Sequence, residues 1–504
     1  MACTTILVGK AASYDGSTII ARNEDSPSGV YNPKRMQVVH PSEQPRHYQA
    51  KISHVSIELP DNPMRYTSVP DADDSQGVWA AAGVNERNVA MTATETLTTN
   101  ERVLGADPLV EYVPAKGTEG EEGYAPEVVG GIGEEDMVTI TLPYATSARE
   151  GARLLGSYLE RYGTYEMNGI AFSDADEIWW LETVGGHHWI AKRVPDDSYV
   201  TMPNQLGIDE FDLRDALGDQ VEHMCSPDLA EFMERHHLDL TLGGEDGVFN
   251  PRDAFGSHSD ADHVYNTPRA WSMQRFLNPR VNFWDGQDAD FRPEDDDIPW
   301  SRIPERKVTI EDVKYVLSLH YQGTPYDPYG SEGTEATRGR YRPIGINRNG
   351  QLAVLQIRPY LPESCRALQW MAYGSNAFNA LVPLYANVDR TPEYLSNTTA
   401  KVTTESFYWA NRIIAALADP HFNSCAVHIE RYQEAVGAKG HAAVNATDDD
   451  VVARDLSYGD ATDALTKEND AIAAMLRDET DKVLSEVLYT ASEGMRNAFA
   501  RSDG

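Results

Sequence analysis

The residues best placed to do chemistry stand at the start of the chain, in "MACTTILVGKAASYDGSTIIARNEDS". Cys3 follows Met1 and Ala2 and heads the apolar run Ile6-Leu7-Val8. With Met1 and Ala2 removed, Cys3 carries a thiol and a free α-amine on one residue. The thiolate is the nucleophile, and a free thiol titrates at about 8.5. An α-amine titrates at about 7.7–8.0 and so serves as a general base at neutral pH. N-terminal nucleophiles activated by their own amine follow the same logic as nucleophile–base pairs elsewhere. Such a residue needs a cation beside the thiolate and a carboxylate for the ammonium. "ARNED", with Arg22 and Asp25, offers both. A hairpin loop from Lys10 to Gly16 sets Cys3 opposite Arg22–Glu24. A two-residue turn at Asp15-Gly16 sets it opposite Ser28 instead. The longer loop is the reading taken here. The plainer alternatives are a buried, inert strand cysteine and a surface ion pair between Arg22 and Asp25.

Other chemical signatures are missing. There is no HExxH, no G-x-S-x-G, no phosphate loop and no G-x-G-x-x-G opening a helix. Neighbouring strand residues point to opposite faces, so His187 and His188 are not expected to converge on one ion, and His236-His237 reads as structural or surface. "DADD" (71–74) and "SDADH" (259–263) lack the glycine and distal glutamate of a calcium loop and read as solvated loops. No metal and no cofactor are expected.

The elements that must position Cys3 follow from periodicity. Residues 3–25 read as a hairpin, and "GVWAAAGVNERNVAMTATETL" as two short strands. The Gly-, Glu- and Pro-rich stretch 101–136 reads as a long surface loop. "SAREGARLLGSYLERYG" is a helix with Ser147 and Glu150 as a capping box. A β-meander follows up to "SYVTMPNQ". Residues 205–310 are irregular and acidic, with short helices near 212–236 and 268–277. "TIEDVKYVLSLH" is a capped helix, and "GQLAVLQIRPYLP" and "ALQWMAYG" return to strand. From about 402 the chain is helical, with Leu465, Ile472, Leu476, Val483 and Val487 on one face. The class is α+β and layered.

The chain has 504 residues and a net charge of −36, from 79 acidic and 43 basic residues. A polyanionic surface argues against nucleic acid and anionic membranes as partners. No run approaches the roughly 20 apolar residues of a membrane span. The four cysteines, Cys3, Cys225, Cys365 and Cys425, are far apart. That spacing suits neither a disulfide framework nor a zinc site, and with no signal peptide expected it points to a reducing cytoplasm.

"CTTILVGK…DGSTIIARNEDS" resembles the start of the dipeptidase A family (peptidase family C69) of N-terminal-nucleophile cysteine hydrolases. It is more distantly similar to penicillin V acylases and bile salt hydrolases. The likeness continues through "GVNERNVAMTATET", "GHHWIAKRVPDDSYVTMPNQ", "YNTPRAWSMQRFLNP" and "RPYLPESCRALQWMAYG". It implies a four-layer αββα sandwich of the Ntn-hydrolase type, spanning 3–504 once residues 1–2 are removed, with a helical C-terminal part from about 402. It implies Cys3 as nucleophile and base, Arg22 by the thiolate, and Asp25 holding the α-ammonium. Asn204 would help stabilise the oxyanion, and Arg275 would be a basic site residue with Arg269 as its competitor. The bland alternatives are a turn residue for Asn204 and a helix-surface arginine for Arg275. Where the acylases carry an oxyanion-hole Asn, this sequence has Glu95. An ionised carboxylate cannot donate a hydrogen bond, so Glu95 would bind the ammonium of a dipeptide or pair with a local arginine. The expected function is a cytoplasmic cysteine dipeptidase acting through a thioester. The expected partners are dipeptide substrates and further copies of the same chain, as a homo-oligomer. The rivals are an acylase of the same superfamily and a non-catalytic relative.

Overall fold

The structure, a computed structural model, describes residues 3–27, 30–243 and 247–495, without the side chains of residues 94 and 95. In chain order the strands that build the two main sheets are β1 (Cys3–Val8), β2 (Thr18–Asp25), β3 (Ala82–Val84), β4 (Ala90–Thr96), β5 (Asn168–Ser173), β6 (Ile178–Thr183), β7 (Trp189–Arg193), β8 (Tyr199–Met202), β9 (His223–Cys225), β10 (Ser301–Arg302), β11 (Asn349–Ile357), β12 (Ala367–Tyr373) and β13 (Val382–Tyr385). One sheet runs β10-β8-β1-β2-β11-β12-β13, and the other β9-β7-β6-β5-β4-β3. The helices used below are α1 (Glu134–Thr141), α2 (Ala148–Tyr162), α3 (Thr267–Leu277), α4 (Ile310–Val316), α5 (Phe422–Arg454) and α6 (Tyr458–Glu493).

β1 and β2 are buried along their whole length, which is why they read as near-continuous apolar runs. Their register pairs Cys3 with Glu24 and Thr5 with Arg22, as the longer loop requires. Side chains alternate across a strand. Leu7, Ile20, Met202 and Leu355 pack in one core with Val84, Ala90, Ala171, Trp180 and Ile190 of the other sheet. Cys3 shares its parity with Leu7, so it faces the second sheet. Ile6, Val8, Ile19 and Ala21 take the opposite face, in a core with Ile310 and Val313 of α4, Val444 of α5 and Leu465 of α6. The outward face of the second sheet, with Ile170, Phe172, Trp179 and Leu181, packs against Met137 and Ile140 of α1 and Leu155 and Leu159 of α2.

Local signals explain several elements. α2 starts where Ser147 Oγ accepts from Glu150 N at 3.2 Å, a side-chain cap of a free helix amide. On α6, Leu465, Ile472, Leu476, Val483 and Val487 are all buried. Each such side chain contributes about 1.5–3 kcal/mol by leaving water, which holds the long α5–α6 hairpin to the sheet.

Four expectations change. The fourth strand of the meander leaves its neighbours and pairs with β1, Thr5 opposite Met202. The stretch 101–136 is not all surface: Glu134, Glu135 and Asp136 are buried at the start of α1. His187 and His188 do converge, on a carboxylate: their Nδ1 atoms lie 3.0 and 2.7 Å from Asp107. They precede the strand that begins at Trp189, so strand alternation does not separate them. In the two acidic loops Asp71 is buried against Lys34 at 2.8 Å, and Asp262 is buried as acceptor for Ser257 and Ser259. Among the described residues no helix is long and apolar enough to cross a membrane.

Candidate active site

Because Cys3, Arg22 and Glu24 share the face turned to the second sheet, the site begins between the sheets. Arg22 is 1% exposed and reaches across the gap. Its Nη1 donates to the carbonyls of Ala81 and Ala93, which flank and line the opposite sheet. Its Nη2 donates to Cys3 Sγ at 2.7 Å and to Glu134 Oε1 at 2.7 Å. Burial disfavours the guanidinium charge, but the Cys3 thiol and the Glu134 carboxylate more than offset it and raise Arg22 above its ordinary value. Glu24, directly across from Cys3, lies 2.6 Å from Lys34. Burial pushes Glu24 up to about 7, with Lys34 and Arg22 opposing.

The backbone of Cys3 is held from another side. Its N–H donates to Asn204 Oδ1 at 3.3 Å. Arg269 of α3, fully buried, donates to the Cys3 carbonyl and to Thr4 Oγ1 at 2.7 Å. The second amino group of Arg269 donates to Asn204 Oδ1 at 2.7 Å and Asn266 Oδ1 at 2.8 Å. Two donors aimed at Asn204 Oδ1 fix its amide orientation, and its Nδ2 donates to Thr96 O at 2.9 Å. Asn204 thus presents an acceptor to the Cys3 nitrogen; the expected oxyanion donor, Nδ2, is bonded to Thr96.

Asp25 is fully buried but lies on the other face of β2 from Arg22. It forms an ion pair with Arg342 and accepts from Asn349 Nδ2 at 2.5 Å. Arg275 turns to Asp285 at 3.0 Å and is 28% exposed. Arg269, its competitor about one and two-thirds helical turns earlier, is the one of the two that reaches Cys3. The Glu95 side chain lies outside the described residues; its backbone pairs with Gly169 beside a bulge.

Sequence reading missed a group of carboxylates beside Arg22. Glu134 N donates to Glu166 Oε1 at 2.7 Å. Surrounding positive charge, Arg22's included, outweighs burial and holds Glu134 below the usual range. Burial and the Glu134 charge push Glu166 up to about 7. Burial and Asp136 push Glu135 up to about 8, and burial lifts Asp136 to about 6. The available signal was "GEED", a glycine followed by three acids, which is a helix-start pattern. Among the described residues no His, Cys, Asp and Glu side chains cluster in a way that could hold a metal ion.

A model of peptidase family C69 matches residues 2–435. The chain is 62% identical to a protein named dipeptidase from Bifidobacterium longum (strain NCC 2705), with 100% of both chains covered. It is 54% identical to a probable dipeptidase A from Streptococcus pyogenes serotype M3 (strain SSI-1), again over 100% of both. To dipeptidase A from Lactobacillus helveticus it is 42% identical, over 96% of each. Matched over most of its length by the family model, and over all of it by relatives this similar, the chain belongs to peptidase family C69.

Proposed function

We propose that this protein is a cysteine dipeptidase whose nucleophile is the thiol of an N-terminal Cys3. One observation carries the reading: the Arg22 guanidinium donates to Cys3 Sγ at 2.7 Å. A guanidinium at that distance favours thiolate over thiol. The membership of family C69 and the dipeptidase names of the relatives support the substrate class. The cores on both sides of the paired sheets support the αββα layering of N-terminal-nucleophile hydrolases.

Maturation removes Met1 and Ala2, which frees the α-amine to act as base. The Cys3 sulfur then attacks the peptide carbonyl of a dipeptide. The carbon–nitrogen bond breaks, the leaving amine takes a proton from the α-ammonium, and a thioester remains. Water, deprotonated by the α-amine, attacks the thioester and releases the acid and the thiol. Asn204 Oδ1, already the acceptor for the Cys3 nitrogen, orients the amine in this scheme. Arg269 fixes the Cys3 carbonyl and Asn204 together. Asp25 then contributes through the Arg342–Asn349 network. A free nucleophilic thiol suits a reducing compartment such as the cytoplasm.

The test is an intact mass of purified active protein together with a dipeptide assay of Cys3→Ser. The reading expects the mass to lack Met1 and Ala2 and Cys3→Ser to lose at least about 10³-fold in kcat. A Cys3→Ala chain that still carries Ala2 would add that the removal is autocatalytic. Active protein that retains Ala2, or an active Cys3→Ser, overturns the reading.

A further inference from the structure

A cavity of about 640 Å³ lies between α4, α5 and β12. Ile310, Trp370 and Leu381 of its lining belong to the core on the outward side of the first sheet, so the cavity is on the face turned away from Cys3. Pockets for small molecules run from roughly 300 to 1,000 Å³. Gly437 of α5 leaves part of the wall open, since a Cβ built there meets no atom within 4 Å. One lysine lines this mainly apolar space without a counter-charge. Lys314 of α4 donates from Nζ to Ser318 Oγ at 2.9 Å and to the Asn376 carbonyl at 2.6 Å. Both acceptors are neutral, and among the described residues the third N–H meets no partner and no carboxylate pairs with the amine. The residue is half-buried, with the amine its desolvated end: burial pushes it down to about 7, and no neighbouring charge acts against that. Lysines are seldom buried unless paired, and a lone ammonium in apolar surroundings costs free energy. The carboxylates of the lining do not supply the missing charge. Glu311 Oε1 lies 2.7 Å from His441 Nε2, and Asp327 Oδ1 lies 2.8 Å from His320 Nδ1. Glu430 and Glu434 are exposed on α5.

We infer that this cavity is a second binding site, for a small organic acid whose carboxylate meets Lys314 and whose apolar body packs on Trp370, Phe378 and Phe422. The inference does not depend on the nucleophile assignment. A carboxylate accepts the third N–H of Lys314 and brings the charge that the amine lacks. Hydrogen bonds between two charged groups are the strong kind, and a desolvated setting strengthens them. An apolar body removes the aromatic walls from water. An uncharged ligand of the same shape gains only the second of these, and a small hydrophilic anion only the first. Two sources share the chemistry. One is a simple carboxylic acid. The other is an amino acid with an apolar side chain, the class of product that peptide hydrolysis releases, and its ammonium would meet Glu430 or Glu434 of the lining.

The test is calorimetric titration of the whole protein with 3-phenylpropionate, 3-phenylpropanol and phenylalanine, in the wild type, Lys314→Met and Gly437→Leu. The wild type is expected to bind 3-phenylpropionate in a saturable way and the alcohol about 10- to 100-fold more weakly, the range for hydrogen bonds to a charged group. Lys314→Met should lose the acid by the same factor and bind acid and alcohol alike. Gly437→Leu puts a side chain into the cavity and should abolish binding of both. Leucine forms helix better than glycine, so this variant keeps its fold, and circular dichroism melts check that. Binding at the Cys3 site would survive both substitutions, so it is told apart from binding here. Phenylalanine bound more tightly than 3-phenylpropionate names an amino acid as the ligand, and the reverse order names a simple acid; the site stands in either case. Failure of the wild type to bind both acids overturns the site. So does a titration that is unchanged in folded Gly437→Leu. Alcohol bound by the wild type as tightly as the acid overturns the role of Lys314, and with it the assignment of an anionic ligand. The wild-type comparison of acid and alcohol needs no variant, so it decides the matter even if Lys314→Met does not fold.

Discussion

Cys3 and Cys365 make an instructive pair. Both are buried, at 0% and 1% exposure, and both have an arginine close by. At Cys3 the Arg22 guanidinium donates to the sulfur itself. At Cys365 the Arg358 guanidinium faces elsewhere. Its Nη1 donates to Asp448 Oδ2 at 2.5 Å, its Nη2 to the Cys365 carbonyl at 2.5 Å, and its Nε to Arg366 O at 3.2 Å. The Cys365 thiol is left with the Pro362 carbonyl at 3.8 Å. Burial and then the Asp448 charge push that thiol up to about 11, despite Arg358 and Arg366. The difference teaches that an arginine near a cysteine says little. What matters is which atom its donors serve, because a guanidinium has a fixed fork and its hydrogen bonds are spent where they are aimed.

The largest expected effect comes from removing each guanidinium in turn. Arg22→Gln takes away the donor to Cys3 and is expected to lower kcat by about 10²-fold, the scale for a preorganised charged donor at a reacting atom. It should also slow alkylation of Cys3. Arg358→Gln is expected to leave both rates within about twofold. Its cost falls on stability, about 3–5 kcal/mol, because Asp448 stays behind as a largely buried carboxylate without its cation. Activity assays and denaturant melts of the two variants check this. If Arg358→Gln slows catalysis as much as Arg22→Gln, the contrast between the two cysteines fails.

A smaller, graded effect is expected in the pH dependence of labelling. Burial, then the Asp228 and Glu160 charges, push Cys225 up to about 12, and Cys365 stands at about 11. A thiol shifted upward keeps its proton, so at pH 9 both remain almost wholly unreactive. Cys425 is raised by burial in the same direction. Iodoacetamide on the native protein between pH 7 and 9 should therefore label Cys3, with the other three accessible only after unfolding. Peptide mapping by mass spectrometry reads the sites directly. Native labelling of Cys365 at pH 7, at a rate near that of Cys3, would erase the distinction.

The Cys3 side of this comparison was readable from the sequence because its first partner is local. Arg22 is 19 residues away across a hairpin, and an Asp-Gly loop signal limits the register to two choices. The buried seam of α6 was readable for a similar reason, since helical periodicity needs no distant information. The partners that come from far along the chain were not. Glu134 is 112 residues from Arg22, and Arg269 is 266 residues from Cys3. Charged residues are seldom fully buried, so a stretch rich in Glu and Gly reads as surface. Glu134–Asp136 are the exception because a guanidinium and tyrosine hydroxyls meet them, Tyr48 at Asp136 and Tyr165 at Glu135. The parity of β2 was visible in principle. Arg22 and Asp25 are three apart, so on one strand they cannot share a face, and the structure gives them separate networks.

The smallest expected effect sharpens the same lesson on a single helix. Arg269 and Arg275 both lie on α3, and the family resemblance favoured Arg275. Their donors decide otherwise. Arg269 is fully buried and serves Cys3, Thr4, Asn204 and Asn266. Arg275 serves Asp285, whose side chain is 65% exposed. Ion pairs of that kind contribute about 0–1 kcal/mol and are screened by salt. Arg275→Gln is therefore expected to leave kcat/KM within about twofold and the melting temperature nearly unchanged. Arg269→Gln removes the support of the Cys3 carbonyl and leaves Asn204 Oδ1 with one donor fewer. It should lower kcat more than KM, since a misplaced nucleophile is felt mainly in the transition state. Kinetics of the two variants on one dipeptide, with circular dichroism melts as a check on folding, compare them directly. A loss in Arg275→Gln that matches or exceeds the loss in Arg269→Gln would mean that Arg275 reaches the reacting groups in a conformation other than the one in which it pairs with Asp285.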